Sequence, residues 1–352
     1  MDDASRVLPN ASLPHGWTID HPAEENALEI TELLRGHERA ARGWPTSTAA
    51  DVLVDVSARG HQTRQNVVLH DQAGRIRGWA SAHDRAAGRL LLTVVVDRGL
   101  EPGVADRVAA ALFAWGEREA HRVGAARGIV TQQIDSGAFE GDEVQQRWLS
   151  SAGFAHVRTW WQMTREVTEA DRALDIEPGP RVRIRLVRRD PSGMPVEDDL
   201  RTVHDVLENA FADHFNSHEE TFDEFVARLR EDPGHRWDHW WIAELVEEHR
   251  AEAAGALVGS VSEGEAGTPD GSYVEYIGVL QKARGRGVAK SLLFTVIADA
   301  AQRGRARVGL EVDADSPTGA DSLYVSLGWR TQYVTESWHK VVTLQPAVAA
   351  CR

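Results

Sequence analysis

Cysteine is almost absent: the 352 residues hold one, Cys351, so no intrachain disulfide and no thiolate metal cage can form. That fits a reducing compartment. Long apolar runs are missing as well, since the longest, around LLLTVVV at 90–96, is far short of the roughly 20 residues a membrane-crossing helix needs. The opening MDDASRVLPNASLPHGW has no charged segment leading into an apolar one. These absences predict a cytoplasmic protein that engages no membrane. Basic residues are in the minority, 39 Lys and Arg against 54 Asp and Glu, for a net charge of −15. Such a surface repels polyanions, which argues against nucleic acid as a partner, but it leaves room for a local basic site holding a small polyphosphate and attracts cationic amines.

What is present is enough for two domains of ordinary size, with 42% hydrophobic residues and 12 Trp to build their cores. The most informative stretch is VLQKARGRGVAKSLL at 279–293. Ahead of it SYVEYIGV (272–279) is β-branched and aromatic, apolar on both faces except at Glu275, the pattern of a covered central strand. Behind it Leu292, Leu293, Val296, Ile297 and Ala300 recur at helical spacing up to Gly304. A strand, a glycine loop and a helix in that order put the amides of Gly285 to Lys290 at a helix N-terminus, where they lack intrahelical partners and the macrodipole favours an anion. The loop is neither a Walker nor a Rossmann pattern, and a pyrophosphate is its best-matched ligand.

Arg284-x-x-Gly287-x-Ala289 after a strand resembles the acyl-CoA loop of the GNAT acetyltransferases. The next segment extends the resemblance. A strand at Val308–Val312 precedes a helix expected to open at Asp315 or Ser316, with Pro317 in its first turn, and Ala320, Leu323, Tyr324, Gly328 and Trp329 follow in the register of the family's second motif. The resemblance implies an α/β fold (α+β, mixed sheet) and acetyl-CoA as cosubstrate, with no metal. It implies that backbone groups of Ile277, Gly278 and Val279 hold the pantetheine arm, while Arg284, Gly285, Arg286, Gly287, Val288, Ala289 and Lys290 cradle the pyrophosphate. Asp315, in the acidic turn, falls on the cofactor's side too.

Acetyl transfer from a thioester to an amine needs a base for the amine and an acid for the departing thiolate. Spacing alone reads Tyr324 as a core tyrosine; the resemblance makes it the acid. Glu275, nine residues before Arg284, is a structural carboxylate or, as the resemblance implies, the base, and its strand parity places it with Ile277 and Val279 in apolar surroundings that would raise its pKa.

A faint internal repeat sets RWLSSAGFAHVRTWWQMTREV (147–167) beside SLYVSLGWRTQYVTESWHKVVTL (322–344), Gly153 answering Gly328. Two tandem GNAT-like domains are expected, 1–176 and 177–352, joined through the polar Pro/Gly stretch before RVRIRLV (181–187). The first is degenerate: DRGLEPGVAD replaces the basic loop and Leu149 stands where Tyr324 does, leaving a structural or substrate-shaping role. The arrangement is similar to that of mycothiol synthase. In the second domain 212–237 is the substrate region, with His214, Phe215 and Glu219 as candidate acceptor contacts. The pairs His214/His218 and His235/His239 have helical spacing but no metalloprotease pattern. The leading expectation is an N-acetyltransferase acting on a small-molecule amine, an aminosugar, an amine antibiotic or a metabolite, as a monomer or homodimer. The rival is a non-catalytic acyl-CoA-binding sensor or scaffold, which would need the loop but neither acid nor base.

Overall fold

The computed structural model describes residues 13–85, 88–174, 181–212, 220–231, 233–247, 250–264, 267–315 and 319–344. The chain forms two compact units, one of Met1–Trp160 with Tyr333–Arg352, the other of Trp161–Gln332. The first contains β1 (Thr18–Asp20), α1 (Ala27–Arg42), α2 (Ala49–Val56), β2 (Arg64–His70), β3 (Ile76–Arg85), β4 (Arg89–Val96), α3 (Pro102–Arg127), β5 (Thr131–Phe139) and α4 (Glu143–Ser151). Strand β6 (Ala155–Glu166) begins in this unit and ends in the second. The second continues with β7 (Val182–Leu186), α5 (Glu197–Phe211), α6 (Phe222–Leu229), β8 (His235–Glu247), β9 (Arg250–Ser262), β10 (Gly271–Val279), α7 (Val288–Gln302), β11 (Arg307–Asp313) and α8 (Ala320–Ser326). The last strand, β12 (Arg330–Thr343), belongs mainly to the first unit.

The strand order is β1-β2-β3-β4-β5-β12 in the first unit and β7-β8-β9-β10-β11-β6 in the second. β4 runs parallel to β5 and β10 to β11, while β3–β4, β5–β12, β8–β9 and β9–β10 are antiparallel. This is the mixed sheet expected of the fold class. The compact units do not follow a sequential division at residue 176. β12 lies along β5 from Thr335↔Phe139 to Thr343↔Thr131, so the chain's last strand completes the first unit. The end of β6 is tied into the second: Val167 N–H donates to Ala306 O at 2.9 Å, Arg165 Nε donates to Leu327 O at 2.8 Å, and Met163 is buried in that unit's core.

In the second unit one sheet face packs against α7, whose Leu292, Leu293, Val296 and Ile297 meet Val274, Val308 and Leu310. The other is covered by α5 and α6, where Leu200, Val203, Leu207 and Phe225 meet Trp240, Ile242 and Val258. His235 and His239, despite their i, i+4 spacing, lie on β8, whose ladder with β9 is irregular between His235 and Trp240. A run as rich in Trp as WDHWW packs well on a pleated, half-buried surface, which outweighs the i, i+4 spacing.

The join of β7 to α5 depends on a carboxylate. Asp199 is 1% exposed and accepts from Arg185 Nη1 at 2.6 Å, Arg188 Nη2 at 2.8 Å and the Arg188 N–H at 2.7 Å. Burial pushes its carboxyl up, but the hydrogen bonds from Arg185 and Arg188 outweigh this and hold it well below the usual carboxylate range. Its contribution to stability is therefore complete above about pH 4, its unfolded value, and is lost as pH falls through the lower folded one. Asp199→Ala is expected to lower unfolding free energy at neutral pH by about 3 kcal/mol, the low end for breaking a buried pair because Arg188 remains exposed to water. Urea titrations at pH 7 and at low pH, where the difference from wild type should shrink, check both the size and the sign.

Candidate active site

The site grows from one strand. β10 pairs with β11 only through Ser272↔Val308, Tyr273↔Gly309 and Val274↔Leu310, while its ladder with β9 continues to Val279↔Gly255. Past Val274 the edge of β10 that faced β11 is vacated. Leu280 N–H donates to Ala254 O at 2.9 Å, so by antiparallel alternation the backbone groups of Gly278 point toward β9 and those of Ile277 and Val279 point to the vacated edge. Among the described residues no side chain bonds to those outward groups. The expected pantetheine contacts at 277 and 279 thus have donors and acceptors available. Gly278 serves packing, because a Cβ there would lie 3.0 Å from Leu207 Cδ2 and from Ala210 Cβ on α5.

The same strand carries a β-bulge. Its register with β9 shifts between Val274 and Tyr276, making Glu275 the extra residue. Before the bulge Val274 faces the α7 core; beyond it Ile277 and Val279 pack against that core, while Tyr276 packs with α5 and α6. Glu275 therefore does not share a face with Ile277 and Val279, as simple parity predicts. It turns toward Ser260, whose hydroxyl donates to Glu275 Oε1 at 2.6 Å, on the face that also carries Tyr273, Ser260's ladder partner. A bulge re-aims one side chain without ending the strand.

Downstream, Gly285 (φ 74°) and Gly287 (φ 80°) are left-handed, and Gly287 is the N-cap of α7. The first bond into the helix runs from Ser291 N–H to Gly287 O at 2.9 Å, so the amides of Val288, Ala289 and Lys290 stand at the helix start without intrahelical partners. Arg284, Gly285, Arg286, Gly287 and Lys290 are exposed, Val288 is buried in the core, and neither Arg284 nor Arg286 forms an ion pair among the described residues. Lys290 Nζ lies 5.4 Å from the centre of the Phe294 ring. These groups suit an anion approaching along the helix axis.

Tyr324, on α8, is 7% exposed and packs edge-on to Trp329, ring centres 6.1 Å apart, in the core shared with α7 and with Ile277 and Val279. Burial pushes its phenol up to about 12, so it stays protonated and is a donor. Tyr324 and Glu275 thus stand on opposite faces of the parted strand. The helix that carries Tyr324 opens later than expected, at Ala320 with Gly319 as N-cap; Asp315 lies exposed in the turn after β11, its N–H donating to Asp313 Oδ1 at 2.9 Å, and Ser316 and Pro317 lie outside the described residues. Glycine in a left-handed conformation replaces the Asp or Ser cap.

His214, Phe215 and Glu219 also lie outside the described residues. Glu220, just beyond them, receives two hydrogen bonds from Arg228, at 2.8 and 2.7 Å, and Arg228 Nη1 donates to Tyr276 Oη at 2.8 Å. Nothing in the sequence pairs Arg228 with Tyr276. Equally unforeseen are Gln162, which donates to Glu311 and accepts from Tyr273 Oη at 3.4 Å, and Ser260. Gln162 was hidden because its segment reads as part of the first domain. No group of three or more His, Cys, Asp or Glu among the described residues is arranged to hold a metal, and no described helix is long and apolar enough to cross a membrane.

The first unit repeats this frame with the gap closed. β4 leaves β5 after Leu91↔Asp135 yet follows β3 to Val96↔Gly78. Here the outward carbonyls are occupied: Ser136 Oγ donates to Leu92 O at 2.8 Å and Gln145 Nε2 to Val94 O at 3.4 Å. The start of α3 is blocked as well, because the Glu101 carboxylate accepts from Val104 N–H at 3.1 Å and Pro102 has no N–H to offer. Leu149, in the tyrosine's place, is fully buried.

A model of the acetyltransferase (GNAT) family matches residues 203–329, from within α5 to Trp329. The whole chain is similar in fold to the GCN5-related N-acetyltransferase from Sphaerobacter thermophilus, with a TM-score of 0.68 and 22% identity over 94% of this chain and 97% of that one. It is also similar to a GCN5-related glucosamine N-acetyltransferase region of a fungal multi-domain GH3 β-N-acetylglucosaminidase (TM-score 0.65, 13% identity, 93% of this chain and 38% of that one). A tandem GNAT protein from the clavulanic acid biosynthesis pathway superposes with a TM-score of 0.63 at 12% identity, over 94% and 99% of the two chains. No curated protein matches the sequence.

Proposed function

Because residues 203–329 are a domain of the acetyltransferase (GNAT) family, in a chain whose fold is that of tandem GNAT proteins, we propose that the second unit transfers an acetyl group from acetyl-CoA to the amine of a small molecule. The observation that carries the reading is the placement of Tyr324 and Glu275 on opposite faces of a strand whose edge is vacated between them. A thioester lying in that gap would present its carbonyl carbon to an amine arriving on the Glu275 face and its sulfur toward Tyr324. The amine nitrogen forms the C–N bond as the C–S bond breaks; Glu275 takes the proton the nitrogen sheds, and Tyr324 gives its phenolic proton to the sulfur. Outward backbone groups of Ile277 and Val279 orient the pantetheine arm, and the amides after Gly287 with Arg284, Arg286 and Lys290 hold the pyrophosphate. The first unit, with its gap filled by Ser136 and Gln145, serves as support or shapes the substrate's surroundings.

Incubating the protein with acetyl-CoA and a panel of amines, following free thiol and identifying products by mass spectrometry, tests the proposal. Thiol released in step with an N-acetylated amine is the expected result; acetyl-CoA binding with no thiol release from any amine would favour the sensor reading. Glu275→Gln is expected to lower kcat by about 10²- to 10⁴-fold and to remove the acidic limb of the pH–rate profile while acetyl-CoA still binds. A limb that persists in this variant means the base lies elsewhere.

A further inference from the structure

The carboxylate given the base's role does not stand alone. Glu275 is the extra residue of a bulge, and a bulged position is less constrained by its ladder than its neighbours are. Something must fix where its side chain points. Ser260, 3% exposed, lies two residues from the end of β9, between His235 of β8 and its ladder partner Tyr273 of β10. Its backbone is thus held by the continuous ladder with β10 and by one further pair on the β8 side. Its hydroxyl donates to Glu275 Oε1 at 2.6 Å, a short, charge-assisted bond.

We infer that Ser260 is a positioning residue for the acetyl transfer: its hydroxyl fixes the Glu275 carboxylate on the acceptor face of the bulged strand, where the amine's proton must be received. The inference rests on the reading of Glu275 as the base. Proton transfer demands hydrogen-bond reach, and a displacement of about 1 Å can cost up to about 10²-fold in rate. A serine at this place contributes nothing to the acetyl-CoA contacts, which lie along Ile277, Val279 and the glycine loop. Its loss should therefore appear in kcat and leave cofactor binding alone.

The test is a double-mutant cycle on the full-length protein, with kcat measured at saturating acetyl-CoA and amine and acetyl-CoA affinity by calorimetry. Ser260→Ala should lower kcat about 10- to 100-fold with acetyl-CoA affinity unchanged, and Ser260→Thr, which keeps the hydroxyl, should restore most of the rate. Adding Ser260→Ala to Glu275→Gln should cost nothing further, because the serine acts through the carboxylate. Thermal unfolding of each variant establishes that it is folded. If Glu275→Gln lowers kcat but Ser260→Ala leaves it at the wild-type value, or lowers it equally in both backgrounds, the positioning role is wrong and the base stands. If Glu275→Gln turns over normally, the base reading fails and this inference falls with it.

Discussion

Tyr324→Phe is expected to lower kcat by roughly 10- to 10⁴-fold while acetyl-CoA affinity stays within about twofold of wild type. The ring keeps its packing against Trp329, so only the hydroxyl is lost. With its pKa pushed up to about 12, the phenol is some 3.5 units less acidic than a thiol near 8.5, and complete proton transfer to the thiolate is uphill by roughly 5 kcal/mol. That fits within the barrier of about 16 kcal/mol that corresponds to a turnover of about 10 per second. On the proposed mechanism the proton would move late, as negative charge builds on sulfur, and until then the phenol would stabilise that charge as a hydrogen-bond donor. A second consequence follows from the same shift: Tyr324 stays protonated through neutral and mildly basic pH, so the variant should keep the shape of the wild-type profile there and change only its height. Steady-state kinetics across that range checks both points. Wild-type turnover in the variant would falsify the acid assignment.

Gly287→Glu is expected to weaken acetyl-CoA binding at least about 100-fold, or about 2.7 kcal/mol, by calorimetry. Two effects act together. The position has φ 80°, where a side chain costs about 1–2 kcal/mol of backbone strain. The new carboxylate would also occupy the helix N-terminus that the pyrophosphate needs, in front of the amides of Val288, Ala289 and Lys290. No atom lies within 4 Å of a Cβ built there, so the substitution meets nothing inside the protein. Gly287→Ala separates the two effects: it carries the strain without the charge and should lose far less affinity. Equal binding by wild type and the Glu variant would contradict the pyrophosphate site.

The first unit carries counterparts of both substitutions. Its Glu101 does at the start of α3 what Gly287→Glu would do at α7, placing a carboxylate on the orphan amides, and its Leu149 removes the hydroxyl that Tyr324→Phe removes. The unit nonetheless keeps the parting of β4 from β5, now closed by Ser136 and Gln145.

By itself the sequence determined the strand, glycine loop and helix between 272 and 304, the core tyrosine at 324 and the absence of the basic loop and the tyrosine from the first half. Each of these is local: strand composition, helical periodicity, positive φ at glycine and a missing hydroxyl can all be read within a few residues. Only the tertiary structure decided that β12 completes the first unit and the end of β6 the second, since strand partners far apart along the chain are not marked by local pattern. It also decided where Glu275 points. No glycine marks the bulge in Val274-Glu275-Tyr276, and a shift of one position in a ladder of period two moves every later side chain to the other face. Ser260 and Gln162 become visible only with the pairing that brings them to Glu275 and Glu311, because partners across a sheet are chosen by strand neighbours and not by distance along the chain.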